Sequence, residues 1–265
     1  MPKKNQRLIK TVVFLILLIA GRYLILFYGI PWINYEKPEI IKAEVKDYLK
    51  ETYNLEFTIE EPSYEINSWG MYATPISNQQ IKAYIKWSKF KTPHVAYDSY
   101  LNEKWRVQAL PEAEAYFKKL YGDETQIFFL FQCMDEAFLK TEAAKSMDYR
   151  GVIKRGNQWI EVQCYLISSS SIDRDKEARK VEQAVREYLD VTATAWDYQV
   201  FYLSEGFEKE FRTGFAKDFN FLRARDSIEY KKMHDNGQII EWYSLSRQRD
   251  EQLFEIRPYF FFENQ

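Results

Sequence analysis

The chain has 265 residues, of which 17% are aromatic, and a formal net charge of −2. Five of its cations and none of its anions lie within residues 1–35, which leaves a net charge of −7 on residues 36–265. That sign excludes a nucleic-acid binder that relies on neutralising phosphates, and the scarcity of Gly and Pro, with 9 and 8 residues, excludes a flexible stalk.

The first 32 residues predict a membrane anchor. Residues 11–32 are apolar apart from Arg22, and a helix of this length spans about 33 Å, which matches the hydrocarbon core of a bilayer. Residues 1–10 form a basic tail that the positive-inside rule places in the cytoplasm, so the chain beyond residue 32 is expected outside the cell. The residues expected at the two membrane interfaces are Lys3, Lys4, Arg7, Lys10, Tyr28 and Trp32.

A cleaved signal peptide is the alternative to an anchor. Its shorter apolar region would end at Ala20 or Gly21, which are small enough for a signal peptidase. Leu18 and Ile19 occupy the corresponding −3 positions, where a peptidase prefers small side chains. We therefore expect the anchor to stay uncleaved and residues 33–37 to link it to the exported region.

From residue 38 onward, helical and strand patterns alternate. Pro38 at a first helical position, followed by apolar residues at helical spacing, predicts a helix over residues 38–53. Alternating apolar and polar residues predict two paired strands over residues 55–66 and 81–90. Further along we expect a helix with Tyr97, Leu101 and Trp105 on one face, a second short helix opened by Pro111, and a buried strand over residues 127–133.

The second half begins with a predicted hairpin, whose strands at 149–154 and 158–167 flank an Arg-Gly-Asn turn. The serine run at 168–171 is either a linker or the loop that caps the next helix through Ser171 or Asp173. The remaining predicted elements are that helix, ending near residue 190, a strand over 196–203, a core-facing stripe of Phe207, Phe211 and Phe215, and a meander over 227–233, 239–245 and 253–262 with an Asp-Asn-Gly turn at 235–237.

These elements predict an α+β fold, in which helices pack on antiparallel sheets after the N-terminal transmembrane helix. Residues 45–49 and 185–189 match in chemical type at every position, which suggests two related modules over residues 38–168 and 172–265. A helix on a curved antiparallel sheet is similar to cystatin-like and NTF2-like domains. The Lys-Lys start, the anchor and the two Tyr-Leu helices also resemble uncharacterised signal-anchored surface proteins of Gram-positive bacteria, which implies a location and no activity.

No motif in the sequence indicates catalysis, a metal or a cofactor, and we expect none of the three. His94 and His234 are the two histidines, and neither has a paired-ligand spacing. His94 follows a proline and fits the first turn of a helix, whereas His234 precedes a turn and fits a solvated position. The acidic pairs at 60–61 and 135–136 could serve acid–base chemistry on a glycan, but neighbouring strand residues point to opposite faces, so we interpret them as solvated.

Cys133 and Cys164 are the two cysteines, and both fall on apolar strand faces. In an exported domain, a disulfide between them would close a loop of about 31 residues and add about 3 to 4 kcal/mol to the free energy of unfolding. The alternative is two separate buried thiols that act as small hydrophobic side chains. The sequence leaves both interpretations open.

The last two predicted strands carry large apolar residues on both sides. One face is therefore either covered by another element or exposed as a partner patch near Trp242 and Tyr259.

Together these patterns predict a single-pass protein of the cell membrane, in contact with the lipid bilayer through residues 11–32. Its extracellular part is expected to act as a binding or scaffolding component of the cell envelope, with a protein as its partner and without catalysis. The alternatives are a membrane-tethered immunity or inhibitor protein against an exported toxin or hydrolase, and an envelope hydrolase that uses scattered carboxylates.

Overall fold

The structure, a computed structural model, describes residues 16–19, 21–22, 36–65, 67–168, 172–217, 232–247 and 259–260. The chain forms two compact units, unit 1 over Met1–Tyr100 and unit 2 over Leu101–Gln265. Both combine helices with sheets, which confirms the α+β class. The division between the units lies after residue 100 and not at the predicted 168–171, because the strands on both sides of that serine run pair within one sheet.

The predicted anchor is described only at residues 16–19 and 21–22, which are helical. Within the described residues, no helix has the length and the apolar character needed to cross a bilayer. The other residues of the 11–32 segment lie outside the described part of the chain, as do Lys3, Lys4, Arg7, Lys10, Tyr28 and Trp32. The anchor therefore stays a prediction.

The described part of unit 1 contains one long helix and a five-stranded sheet. The elements are α1 (Pro38–Tyr53), β1 (Phe57–Ile59), β2 (Ser63–Glu65), β3 (Ser68–Pro75), β4 (Ala83–Trp87) and β5 (Val95–Asp98). The strand order is β1-β3-β4-β5, with β2 also paired to β3, and every pair is antiparallel. The single strand predicted over residues 55–66 is thus two short strands.

Helix α1 has the predicted bounds and covers one face of this sheet. Pro38 lies in its first turn, and Asn54 ends it in the left-handed region, where the Asn54 N–H donates to the carbonyl of Lys50. The helix packs against β1 and β4. The buried apolar side chains of the helix and the inner sheet face are Ile41, Val45, Leu49, Phe57, Met71, Ala73, Ala83, Ile85 and Trp87.

Tyr97 does not lie on a helix face, as the sequence predicted, but in strand β5 with 45% of its surface exposed. The next helix begins only at Tyr100, whose N–H donates to Asp98 Oδ1 at 2.8 Å. An aspartate that accepts this bond fixes the start of a helix, and this moves the helix start past Tyr97.

Unit 2 begins at Leu101, the second residue of that helix. Its elements are α2 (Tyr100–Tyr121), β6 (Gln126–Cys133), α3 (Glu136–Leu139), α4 (Glu142–Ser146), α5 (Tyr149–Arg155), β7 (Gln158–Ser168), α6 (Arg174–Ala184), a π-helical turn (Val185–Leu189), α7 (Asp190–Thr192), β8 (Ala195–Ser204), a 3₁₀ turn (Glu205–Phe207), α8 (Glu208–Lys217), β9 (Ile239–Arg247) and β10 (Tyr259–Phe260). Residues 232–235 are also helical.

The sheet of unit 2 has the order β10-β9-β8-β7-β6, and its central pair β7–β8 is parallel. The prediction of purely antiparallel sheets is therefore wrong for this unit. Helix α6 lies between the two strands in the chain and supplies the crossover that a parallel pair needs. Because the two units differ in strand order and direction, the match between residues 45–49 and 185–189 has no counterpart in the topology.

Helices α2 and α6 cover one face of this sheet. The Phe117 ring of α2 lies 5.6 Å from the Tyr198 ring of β8, and Val181 of α6 is fully buried. At the end of α2, the hydroxyl of Tyr121 lies 2.6 Å from that of Tyr198 and 2.9 Å from that of Tyr243. A hydroxyl network thus links the helix to two strands through an otherwise apolar core.

The other face carries the cluster in which Trp242 is buried. Trp242 is 5% exposed, and its ring is stacked on that of Phe201 at 5.6 Å with an angle of 5°. The cluster consists of Phe128, Tyr165, Phe201, Leu203, Phe207, Phe211, Met233, Ile239 and Trp242. Of the two alternatives that the sequence leaves open, the covered face applies at Trp242, because the 3₁₀ turn, α8 and the 232–235 helix supply a cover. Tyr259 pairs with Ser244 through the backbone, and its side chain lies outside the description.

Three local predictions are wrong because their signals fit two structures. Pro111 lies inside α2 instead of opening a helix. The first predicted hairpin strand is helix α5, which Asp148 caps by accepting the N–H of Gly151 at 2.8 Å. The Asp-Asn-Gly sequence at 235–237 ends a helix, since the Gly237 N–H donates to the carbonyl of His234.

Other elements of unit 2 follow the predictions. Strands β6, β8 and β9 lie at the predicted places, and Asp173 caps α6 by accepting the N–H of Lys176 at 3.1 Å. Phe207 and Phe211 belong to the core, whereas the side chain of Phe215 lies outside the described residues. Most of the predicted strands over 227–233 and 253–262 also lies outside them.

Replacing the buried indole tests the second core. Trp242→Ala should lower the free energy of unfolding by about 3 to 5 kcal/mol, because it leaves a cavity beside Phe201. Val191→Ala, at a position that is 68% exposed, should change it by less than about 0.5 kcal/mol. Urea unfolding monitored by circular dichroism measures both. Equal stability of Trp242→Ala and the parent chain would contradict the buried assignment.

Candidate functional site

The outer face of the unit 1 sheet presents a row of tyrosines. Tyr72 and Tyr84 are register partners on β3 and β4, and Tyr97 on β5 is the partner of Lys86 on β4. Their neighbours Met71 and Ile85 point to the inner face, since alternate residues of a strand point to opposite faces. Tyr72 is 42% exposed and Tyr97 45%. We call Glu65, Tyr72, Tyr84, Lys86 and Tyr97 the tyrosine face.

The three rings are close enough to form one surface. The Tyr84 centroid lies 5.6 Å from that of Tyr72 and 6.4 Å from that of Tyr97. The ring planes are inclined at 65° and 46° respectively, and the Tyr72–Tyr84 pair is in edge-to-face contact. The face is therefore stepped and not flat.

Gly70 leaves room for a side-chain hydrogen bond that crosses β3. The Tyr84 hydroxyl donates to Glu65 Oε1 over Gly70, where a Cβ would collide with both groups. Burial raises the pKa of Tyr84, and its hydrogen bond to the Glu65 carboxylate raises it further. Tyr84 therefore stays protonated at neutral pH and holds Glu65 in place.

Lys86 within the tyrosine face and Lys82 beside it each have an acidic partner. Lys82 Nζ lies 2.9 Å from Glu60 and 4.6 Å from the centre of the Tyr72 ring. Lys86 Nζ lies 3.7 Å from Glu65 Oε2. The four charges cancel, while their side chains stay 38–53% exposed and available for hydrogen bonds.

A histidine–carboxylate pair lies elsewhere in unit 1. Glu44 Oε2 accepts the indole N–H of Trp87 at 2.9 Å and lies 2.9 Å from His94 Nδ1. The hydrogen bond to His94 holds the pKa of Glu44 below its usual value. His94 precedes β5 and is not in a helix, which corrects that prediction. Ser88 contacts His94 through its backbone N–H, which donates to the His94 carbonyl at 2.8 Å, whereas the Ser88 hydroxyl donates to the carbonyl of Asn67 at 3.4 Å.

A buried carboxylate joins α1 to β5. Asp98 accepts the Tyr53 hydroxyl at 2.7 Å, and burial raises the pKa of Asp98 despite this bond. Burial also raises the pKa of Tyr48, to about 12, with a smaller effect from the Asp98 charge. These shifts come from the packing of a polar group into the core of unit 1, away from the tyrosine face.

Unit 2 contains a second pair of carboxylates. Glu161 and Asp197 are register partners on parallel strands and therefore share a face. Burial and then the Glu161 charge raise the pKa of Asp197, which accepts the Trp159 indole N–H at 3.2 Å. Glu161 is only 6% exposed, so in this structure the two carboxylates are not both accessible to a substrate.

Unit 2 also has a shallow cleft of ≈ 520 Å³ between α2 and α5. Glu112 accepts from the Tyr149 hydroxyl and lies 3.2 Å from an Arg150 guanidinium nitrogen. The hydrogen bond from Tyr149 holds the pKa of Glu112 below its usual value. The polar groups of this cleft thus satisfy one another. Its lining is Gln108, Pro111, Glu112, Asp148, Tyr149 and Arg150.

The acidic pairs noted in the sequence are structural or solvated. Glu60 and Glu61 form exposed ion pairs with Lys82 and Lys42. Asp135 caps α3 by accepting the N–H of Phe138 at 2.9 Å, and Glu136 follows it in the first turn. His234 lies at the end of the 232–235 helix, 3.6 Å from Asp235. No group of three or more side chains suited to a metal occurs within the described residues.

The two cysteines lie on neighbouring strands but are not bridged. Both are free and buried. Cys164 pairs with Ile127 on β6, whereas Cys133, six residues further on, pairs with Gln158. Six strand residues separate the thiols by about 20 Å, far more than a disulfide spans. The register therefore selects separate buried thiols over the disulfide.

Sequence reasoning did not find the tyrosine face. The alternation around Tyr84 predicts its strand, but the sequence pattern puts Tyr97 in a helix and pairs the strand of Tyr84 with residues 55–66 instead of β3. Pairing β4 with residues 68–75, which also alternate, would have placed Tyr72 opposite Tyr84.

Comparisons with known proteins give no family. No family model matches the chain, and no curated protein matches it. A solved DUF5037 family protein from Ruminococcus gnavus ATCC 29149 is similar with a TM-score of 0.42 and 13% identity, over 66% of this chain and 79% of that one. At this TM-score the likeness carries no argument about fold or function.

Counting thiols tests the unbridged assignment. Denatured protein prepared without reductant should react with two equivalents of a thiol reagent per chain. In the folded protein Cys164 should react far more slowly, because it is buried and burial raises the pKa of its thiol. Alkylation followed by mass spectrometry measures both. A chain that gains both alkyl groups only after reduction would contain the disulfide.

Proposed function

We propose that this chain is a non-catalytic binding protein of the cell envelope, anchored in the membrane by residues 11–32, which contacts its ligand through the tyrosine face. The observation that carries the proposal is the exposure of Tyr72 and Tyr97, at 42% and 45%, on a sheet face that no helix of unit 1 covers among its described residues. Large aromatic side chains grouped at the surface are typical of binding sites.

The location rests on the sequence alone. Four cations precede the apolar segment without a single acid, which favours a cytoplasmic N-terminus and an extracellular C-terminal region. The predicted resemblance to signal-anchored surface proteins points to the same place. An anchor of this kind would hold the tyrosine face close to the outer leaflet, where envelope components are concentrated.

The proposal that the chain is non-catalytic is supported by the surroundings of its carboxylates with shifted pKa values. Asp98 and Asp197 have raised pKa values because of burial, and each accepts a hydrogen bond from an aromatic side chain. An active site would need such a group beside an open pocket. On the tyrosine face, Glu65 is instead bound by Tyr84 and lies beside Lys86.

Protease treatment of intact protoplasts tests the topology. Protease should remove the mass beyond Trp32 and leave the first dozen residues protected, because the cationic tail stays inside. The undigested chain should also stay in the membrane fraction through carbonate washing at its full 31.9 kDa. Full protection from protease would reverse the topology, and release into the medium would show a cleaved signal peptide.

Photo-crosslinking in living cells tests the binding surface. With p-benzoylphenylalanine in place of Tyr97, ultraviolet light should join the chain to its ligand, because this side chain is 45% exposed on the face. The same replacement at Val191, which is 68% exposed in unit 2, is the matched control and should give no such adduct. Equal crosslinking at both positions, or none at position 97, would contradict the proposal. An adduct with an exported toxin would favour the immunity function.

A further inference from the structure

We infer that the ligand of the tyrosine face is the uncharged glycan strand of the cell wall. This inference rests on the proposed function and adds the chemical class of the ligand. Four observations carry it: the charge balance of the face, the chemistry of its side chains, the spacing of its rings and the fixed position of Glu65.

The charges on and beside the face favour an uncharged ligand. Lys82 is paired with Glu60 at 2.9 Å and Lys86 with Glu65 at 3.7 Å, so the two cations are balanced by two anions. A polyanion such as a nucleic acid or an anionic lipid surface would need unbalanced cations. A neutral polymer does not need unbalanced charges, so the paired charges do not weaken its binding.

The side chains of the face are of the kinds that bind sugars. Apart from Gly70 and the buried Ser68, the register positions that β1 to β5 direct outward with Tyr72 are Thr58, Ser63, Glu65, Thr74, Tyr84, Lys86 and Tyr97. Each carries a hydroxyl or a charge. The centre of a protein–protein interface is richer in apolar side chains and poorer in charge. A sugar offers both C–H faces for aromatic rings and hydroxyls for polar groups.

Ring spacing fits a polymer. Successive ring centroids at 5.6 Å and 6.4 Å are separated by about the length of one hexose residue. The inclinations of 65° and 46° make this row of rings uneven, which suits a single strand better than a flat crystalline surface. A strand lying across β3, β4 and β5 would place one sugar near each tyrosine.

The polar groups between the rings are held in place before a ligand arrives. Tyr84 binds Glu65 through the gap that Gly70 leaves, and Lys86 lies beside the same carboxylate. The carboxylate oxygens and the ammonium group can accept from and donate to sugar hydroxyls. Preorganised groups lose little conformational entropy on binding, which strengthens the interaction.

Sedimentation with purified sacculi, stripped of proteins and wall polymers, tests the inference with the full chain in detergent. The parent chain should sediment with sacculi, and chitohexaose, an uncharged amino-sugar oligomer, should compete. Tyr72→Ala/Tyr97→Ala should weaken the binding by about tenfold or more, whereas Tyr72→Phe/Tyr97→Phe should stay within about threefold because the rings remain. Binding to an uncharged strand should change by less than about twofold between about 0.05 and 0.5 M NaCl.

Phe90→Ala is the matched control, since Phe90 is 64% exposed in the same unit but outside the strands. It should bind as the parent does, and all variants should keep the parental melting temperature. A parent chain that fails to sediment, or an alanine variant that sediments equally, overturns the glycan. If crosslinking at position 97 then yields a protein adduct, the proposed function stands with another ligand. If it yields no adduct, both fall.

Discussion

The register between β3 and β4 is the constraint on which unit 1 depends. It pairs Met71 with Ile85 on the inner face and Tyr72 with Tyr84 on the outer face. A slip of β4 by one residue would turn Ile85 into solvent and Tyr84 against α1, so burial of the inner pair fixes the register. The tyrosine face is thus a consequence of the same alternation that builds the core.

In unit 2, the sheet is covered on both of its faces. Its central strands β7 and β8 carry apolar residues on both faces, and each face therefore needs a cover. Helices α2 and α6 supply one, joined to the sheet by the hydroxyls of Tyr121, Tyr198 and Tyr243. Phe207 and Phe211 help to supply the other. Among the described residues, the exposed aromatic side chains of Tyr72, Phe90 and Tyr97 all lie in unit 1.

The sequence predicted elements well where one signal acted alone. The 38–53 helix has a proline start and one apolar stripe, and strand β6 is almost continuously apolar, so competing structures were unfavourable. Prediction failed where a signal was shared. Asp-Asn-Gly fits both a hairpin and a helix end, and residues 149–154 suit a strand until Asp148 is recognised as a cap. The tyrosine face depended on strand pairing, which local patterns do not specify.

The buried, unbridged thiols have a consequence for how this protein meets its surroundings. Cys133 and Cys164 lie about 20 Å apart along paired strands, so the native fold contains no bond that a reductant could break or an oxidant could complete. The thermodynamic stability of unit 2 is therefore indifferent to the redox potential on whichever side of a membrane it lies. Only unfolding exposes the two thiols to solvent. An oxidising medium could then form non-native disulfides in the unfolded chain and prevent its refolding, without affecting the folded chain.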